Sequence, residues 1–267
     1  MKSTGNMLSK AFTPKGKISK KSTVIISIIV FAIILGAWSF ITYTGKVDPL
    51  FLPSPTSILT TCQTLLADGL MSDVLITVER VMGGFLIATV FAIPLGILVG
   101  TYAPFSAMFE PLLSFVRYMP VTAFIPLFIL WIGIGETEKL AVIIIGSFPA
   151  LVLMIATNIR NVPLDLIEVS YTLGTSKTRV LWKVILPKSI PDIIDTLRIV
   201  LGWAWTYVLL AEMVGASSGV GFMILQSQRM LKIGKIFVGI LIIGLIGLLT
   251  DVIFNALNKL LFPWREK

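Results

Sequence analysis

The chain has 267 residues, of which 56% are hydrophobic and only 13% are charged, and its mean hydropathy is +0.94. A soluble domain usually carries about 25% charged residues, so this composition excludes a water-soluble globular protein and indicates an integral membrane protein. The single cysteine, Cys62, excludes an internal disulfide, and the absence of histidine argues against a zinc or haem site.

The first predicted elements are a basic tail at residues 1–22 and a transmembrane helix at 23–43. The run from Val24 to Tyr43 holds 20 residues without a charge. A signal-peptide core is shorter, about 7–15 residues. We therefore expect a retained transmembrane helix here.

Apolar runs of the length that crosses a bilayer, about 20 residues, recur along the chain. They predict an all-α, polytopic membrane protein whose domain at 23–260 has six transmembrane helices, over residues 23–43, 81–102, 108–133, 139–159, 197–215 and 236–257. The runs lack the alternation of barrel strands. A short tail, 261–267, follows.

The Lys and Arg residues between these spans predict the orientation. Fourteen lie on one side, in the N-terminal tail, the 160–196 loop and the C-terminus (Lys2, Lys10, Lys15, Lys17, Lys20, Lys21, Arg160, Lys177, Arg179, Lys183, Lys188, Lys259, Arg265 and Lys267). Five lie on the other side (Lys46, Lys139, Arg229, Lys232 and Lys235). Positive residues are enriched on the cytoplasmic side, so we expect both termini and the 160–196 loop in the cytosol. This distribution accounts for the charge of +8 without nucleic acid as a partner.

Two connections are predicted outside. In the longer one, 45–79, Ser54 and Pro55 favour a short helix with Ser54 as its N-cap and Pro55 in its first position. The glycine-rich stretch 215–221 is either a flexible gate or a close-packing turn, and its composition favours the turn.

Charged residues and prolines lie within the predicted spans. The charged residues in or at the ends of spans are Glu79, Arg80, Glu110, Arg117, Arg198, Glu212 and Asp251. An ionised group at the bilayer centre costs at least about 2.5–3.5 kcal/mol and usually faces protein or water. Arg117 and Glu212 are the candidates for deep positions, either on a translocation path or in interhelical pairs; Glu79, Arg80, Arg198 and Asp251 are expected to reach the interface. Pro94, Pro120, Pro126 and Pro149 are expected to kink their helices.

The 160–196 loop is long and structured for a connection between membrane helices. Pro163 suits the first turn of a helix, and Gly174 suits the left-handed residue just past its end. A second helix is predicted to start at Thr175 or Ser176, with the hydroxyl as its cap and an apolar stripe that includes Val180 and Val184. Pro187 is expected to end it.

The spacing of Glu168, Gly174, Leu186 and Pro187 resembles the cytoplasmic coupling loop of ABC-importer permeases. The resemblance continues through LPKSIPDIIDTLRIVLGWAW and AEMVGASSGVGFMI, and it includes FLPSPTSI at 51–58, TVERVMGGFLIATVFAIPLGILVG at 77–100 and EPLLSFVRYMPVTAFIPLFILWIGIG at 110–135. It covers roughly residues 45–260 and is to the nitrate/sulfonate/taurine class. Two alanines usual in this class are replaced by Val169 and Ser170, and a usual isoleucine by Val184.

This resemblance implies a type I ABC-importer permease-like bundle with cytoplasmic coupling helices in a bacterial inner membrane. It implies that Glu168, Gly174, Leu186 and Pro187 hold the coupling positions, with the turn at Gly174 docking on an ATPase. The implied partners are two ATPase subunits, a second copy or a paralogue of the permease, and an external solute-binding protein. The solute would be a nitrate-, sulfonate- or taurine-like anion, or a related small organic solute.

The chain has no Gly-x-x-x-x-Gly-Lys-Ser/Thr phosphate loop. We therefore expect no cofactor on this chain and no catalysis by it, with ATP and Mg²⁺ on the partner ATPase. The alternative is a secondary transporter or channel that works without an ATPase, which an inverted repeat or buried ion-binding acids would favour.

Overall fold

The computed structural model describes residues 18–263, and these residues are helical throughout apart from short connections. The helices are α1 (Lys20–Tyr43), α2 (Pro55–Ala67), α3 (Leu70–Thr101), α4 (Ala103–Tyr118), α5 (Val121–Ile132), α6 (Glu136–Arg160), α7 (Leu164–Thr172), α8 (Lys177–Val180), α9 (Leu186–Gly215), α10 (Val220–Arg229) and α11 (Ile233–Leu261). A π-helical turn, Leu181–Ile185, joins α8 to α9. Within the described range there is no strand, so the all-α prediction is confirmed. The predicted tails, 1–22 and 261–267, lie mostly outside the described residues.

Five helices are long and apolar enough to cross a membrane. They are α1, α3, α6, the continuous helix Lys177–Gly215 and α11, and α4 with α5 makes a sixth if the pair is one bent span. This agrees with the six predicted spans, although several helices extend beyond the apolar runs. The clearest case is α3, which begins at Leu70 rather than near residue 81.

The predicted single span at 108–133 is instead two helices, α4 and α5, which meet at 96°. Met119 between them is extended, with ψ of 136°. The residue before a proline is disfavoured in the helical conformation, and Pro120 cannot donate an amide hydrogen bond. The expected kink at Pro120 is therefore a complete break, whereas Pro94, Pro126 and Pro149 lie inside continuous helices.

The described residues divide into two compact units. The boundary between them falls within α2, between Thr60 and Thr61. In the first unit, α1 exposes apolar side chains on all sides, as a lipid-facing helix does. The Trp38 indole donates to the carbonyl of Pro53 at 3.2 Å. As predicted, α2 begins at Pro55, and the Ser54 hydroxyl accepts the Ser57 amide at 3.3 Å.

In the second unit, α3 and α6 pack closely because glycines on α3 receive isoleucines of α6. A Cβ atom at Gly84, Gly96 or Gly100 would lie within 2.7–2.8 Å of the Cβ of Ile143, Ile155 or Ile159 respectively. The residue numbers of the paired glycines and isoleucines rise together along α3 and α6, so the two helices run parallel. Small residues allow backbones to approach in this way between membrane helices. The core around them includes Val81, Leu151, Val200 and Val208.

Candidate functional site

A sharp turn at Gly174 separates α7 from α8. Gly174 has φ of +77°, a conformation that glycine adopts without a Cβ penalty. Its amide donates to the Tyr171 carbonyl at 2.9 Å, and the Thr175 amide donates to the Ser170 carbonyl at 3.0 Å. This pair of bonds is the Schellman motif, so the prediction that Gly174 ends the first helix is confirmed.

The second helix starts where predicted but without the predicted cap. Ser176 occupies the N-cap position of α8, yet its side chain makes no capping hydrogen bond. The predicted apolar stripe is confirmed, because Val180, Leu181 and Ile185 are buried and Val184 is half-buried. This stripe anchors the segment to the core.

The turn presents apolar side chains outward. Leu173 is 80% exposed at its tip, and Val169, Tyr171 and Trp182 are also exposed, while α7 has no buried residue. Exposed apolar clusters of this kind mark surfaces that bind other proteins or membranes. The segment thus combines an anchored stripe with an open apolar tip.

The remaining predicted coupling residues lie on both sides of this turn. Glu168 is exposed on α7, while Leu186 is buried and Pro187 is exposed at the start of α9. The expectation that Pro187 ends the second helix is wrong, since one helix runs from Lys177 to Gly215, 39 residues in all. A π turn lies directly before Pro187, and in it the Leu186 amide donates to the Leu181 carbonyl. This turn widens the helix next to Pro187, which has no backbone amide hydrogen to donate.

Glu212 lies at the opposite end of α9 in a polar cluster, which we call the Arg80 cluster (Thr77, Arg80, Glu136, Glu212 and Ser218). Thr77, Arg80 and Glu212 are buried, Ser218 is partly buried and Glu136 is exposed. Arg80 Nη1 donates to Glu212 Oε1 at 2.8 Å, and Arg80 Nε donates to Glu136 Oε2 at 2.6 Å. Thr77 Oγ1 donates to Glu212 at 2.9 Å. The Arg80 side chain does not extend to solvent, because it is only 4% exposed; its position at the membrane interface stays a prediction. It pairs with the buried carboxylate of Glu212 on α9 and with the exposed carboxylate of Glu136 at the start of α6.

The glycine-rich connection is held by the same groups. The amides of Gly219, Val220 and Gly221 donate to Asp73 Oδ1, Thr77 Oγ1 and Glu212 Oε2, each within 2.9 Å. Arg80 also donates to the Ser218 carbonyl at 2.8 Å. Side chains thus satisfy successive backbone amides where α10 begins, so 215–221 is the close-packing turn that its composition favours.

A second pair of buried charges lies beside this turn. The Lys139 ammonium donates to the carbonyls of Gly135 and Gly215, at 2.9 and 3.2 Å. It also lies 3.6 Å from Glu138 Oε2, and both side chains are almost fully buried. Lys139 therefore ties the start of α6 to the end of α9.

The predicted deep residue Arg117 lies elsewhere, in a cleft beside the break between α4 and α5. The cleft has a volume of about 440 Å³, and its walls include Arg117, Phe124, Gly146, Trp203, Thr206 and Tyr207. Arg117 is exposed and contacts its neighbour Tyr118 through a 3.3 Å hydrogen bond and the face of the ring. Across residues 18–263 it has no carboxylate partner, since Glu110 pairs with Arg160 and Glu212 with Arg80.

Sequence reasoning missed most of the Arg80 cluster. A signal was present, because Asp73, Thr77 and Arg80 follow one another at spacings of four and three residues, which places them on one face of a helix. Such a polar stripe next to an apolar run indicates a helix that continues into the protein interior.

Known proteins are similar to this chain over most of its length. Residues 92–266 match the family model described as "Binding-protein-dependent transport system inner membrane component". The taurine transport system permease protein TauC of Escherichia coli is 32% identical over 247 residues, covering 90% of each chain. The bicarbonate transport system permease protein CmpB of Synechococcus elongatus is 31% identical over 213 residues, covering 75% of this chain and 77% of its own. In fold, the chain is similar to the inward-facing methionine ABC transporter MetNI, with a TM-score of 0.59 at 21% identity over 70% of this chain and 95% of the other.

Proposed function

Because this chain belongs to the family of binding-protein-dependent transport system inner membrane components and is the permease subunit of an ABC importer, we propose that it carries a small anion inward by alternating access. The energy comes from ATP hydrolysis on a separate subunit. The chain itself catalyses no covalent step, and ATP and Mg²⁺ bind to the partner.

The observation that carries this proposal is the apolar tip at Gly174. An exposed leucine on a turn with fixed backbone geometry suits insertion into a groove of another protein, because little conformational freedom is lost on binding. Glu168 lies on the helix before the tip, and Leu186 and Pro187 lie on the helix after it. We assign these four positions to ATPase coupling.

Two copies of the permease, or one copy and a paralogue, enclose the path, and each tip engages one of two ATPase subunits. The tip and both termini face the cytosol, and the opposite face, which includes 45–79 and 215–235, receives an external solute-binding protein. Positive charges are enriched near the tip, at Lys177, Arg179 and Lys183, which supports this orientation. The location is the bacterial inner membrane.

The environment of Arg117 supports the proposal that the solute is an anion. An arginine in a span is costly unless it faces water or a partner, and within the described chain Arg117 is exposed to a cleft without a carboxylate. Taurine and bicarbonate, named for two relatives, both carry a negatively charged oxyanion group. We therefore assign Arg117 to the translocation path.

Copurification tests the proposed coupling. A tagged chain, purified from cells that express it together with its ATPase, should retain that ATPase, and Leu173→Glu should release it because a charge would be buried in the groove. Leu260→Glu is the matched control, since Leu260 is 77% exposed at the far end of α11. An ATPase that is absent from the wild-type chain, or retained equally by both variants, would refute the coupling role.

A further inference from the structure

The cleft beside the α4–α5 break has a composition that selects among anions. We propose that it binds an organic anion, with a sulfonate or carboxylate head at Arg117 and an aromatic or bulky apolar body between Phe124, Trp203 and Tyr207. This inference rests on the proposed function, since the cleft is placed on the translocation path.

Several residues that line the cleft carry hydrogen-bond donors without an acceptor among the described residues. Arg117 bonds only to Tyr118, and the Trp203, Thr206 and Tyr207 side chains have no hydrogen-bond partner among residues 18–263. The residues that line the cleft include no Asp or Glu. A ligand with several acceptor oxygens and a negative charge complements this set. The ammonium group of a zwitterion would meet no carboxylate here.

The apolar walls of the cleft indicate a ligand that has an apolar body in addition to its oxyanion group. Rings of Phe124, Trp203 and Tyr207 and the side chains of Val116 and Ile145 form much of its surface. Its volume of about 440 Å³ lies within the range of sites that enclose organic ligands, about 300–1,000 Å³. An inorganic oxyanion would leave most of this apolar surface without a contact, whereas an apolar body would cover it.

One ring of the aromatic wall, Tyr207, is held in place before a ligand arrives. Trp203, Thr206 and Tyr207 are spaced at i, i+3 and i+4 on α9 and therefore share a helix face. A Cβ atom at Gly146 would lie 2.6 Å from the Tyr207 ring, so the glycine allows the ring to lie directly against α6. A ring that is already held in place lowers the entropic cost of binding.

Ligand-observed ¹⁹F NMR with 4-fluorobenzenesulfonate tests this inference on the full-length chain in lipid nanodiscs. The probe should bind, and Arg117→Gln should weaken its Kd about tenfold or more, because a charge-assisted hydrogen bond is lost. Trp203→Leu should also weaken it, and Gly146→Val should do so by displacing Tyr207. Lys259→Gln, which removes an exposed charge outside the cleft, should leave the Kd unchanged.

Competitors identify the part of the ligand that is recognised. Neutral 4-fluorobenzyl alcohol, methanesulfonate, nitrate and taurine should each compete at least about tenfold more weakly than unlabelled benzenesulfonate. Equal or stronger competition by nitrate or taurine would overturn the inference, as would an unchanged Kd in Arg117→Gln. Either result would leave ATPase copurification intact, whereas loss of copurification would count against the proposed function itself.

Discussion

Arg80 of α3 and Glu212 of α9 form an ion pair inside the protein, with 2.8 Å between Nη1 and Oε1 and side-chain exposures of 4% and 0%. The pair is part of a network, since Glu212 also accepts from Thr77 and from the amide of Gly221. A buried carboxylate is tolerated when its oxygens are hydrogen-bonded. The network thus joins α3, α9 and the first residues of α10.

Removing the arginine should destabilise the protein strongly. Arg80→Ala leaves Glu212 buried without its counter-charge, and breaking a buried pair costs about 3–5 kcal/mol. Thermal unfolding of the detergent-solubilised protein measures the effect. Arg160→Ala is the control, because its pair with Glu110 is partly exposed and should contribute about 0–1 kcal/mol. Equal losses in the two variants would contradict a structural role for the Arg80–Glu212 pair.

A side chain at Gly219 should disrupt the turn that this network holds. Gly219 has φ of +107°, and a Cβ atom there would lie 2.4 Å from Glu212 Oε1. Gly219→Ala should therefore lower the melting temperature, with about 1–3 kcal/mol from the backbone conformation alone. Gly202→Ala, in a helix and with no atom within 4 Å of the added Cβ, should be neutral or slightly stabilising. The prediction fails if both variants melt with the wild type.

The conformation of Gly174 should control coupling. Gly174→Val places a β-branched residue at φ of +77°, so the Schellman turn should open and solute-dependent ATP hydrolysis in proteoliposomes should fall. No atom lies within 4 Å of a Cβ there, so any effect comes from the backbone. Gly174→Asn should retain most of the activity, because asparagine tolerates the left-handed region. Equal activity of the Val and wild-type proteins would show that the turn geometry is dispensable.

Enlarging a glycine between α3 and α6 should separate the two helices. Gly96→Leu would place a side chain where the Cβ of Ile155 already lies 2.8 Å from the new Cβ. Overpacking of this kind costs about 1–3 kcal/mol or more, which size-exclusion chromatography after heating would detect as aggregation. At Gly244 in α11 an added Cβ has no atom within 4 Å, so Gly244→Leu should elute normally. Aggregation of both variants at one temperature would argue against the packing explanation.

Features set by local composition could be predicted from the sequence. Apolar runs predict the membrane helices because burial in lipid depends on each residue's own polarity. Gly174 and the Ser54-Pro55 pair predict a turn and a helix start because their backbone preferences are local. The turn at Gly174 and the start of α2 lie where the sequence predicts them, whereas α3 begins before its apolar run and the run at 108–133 forms two helices.

Features that depend on a distant partner could not be predicted in this way. Arg80 looks like an interfacial residue because hydropathy places the start of its span at residue 81, and only the carboxylates of Glu136 and Glu212 explain its burial. Pro187 is predicted to end a helix because the lack of an amide hydrogen is a property of the residue itself. The π turn that accommodates it depends on tertiary packing, since Leu181 and Ile185 in that turn are buried in the core.

The helix from Lys177 to Gly215 is continuous through its π turn and is long enough to act as a lever. Its 39 residues span roughly 58 Å at about 1.5 Å per residue. One end follows the turn at Gly174, and the other carries Glu212, which pairs with Arg80. A tilt of about 5° around the first end would displace the second by roughly 5 Å. A small rotation at the end near Gly174 would therefore become a larger displacement at the end that carries Glu212.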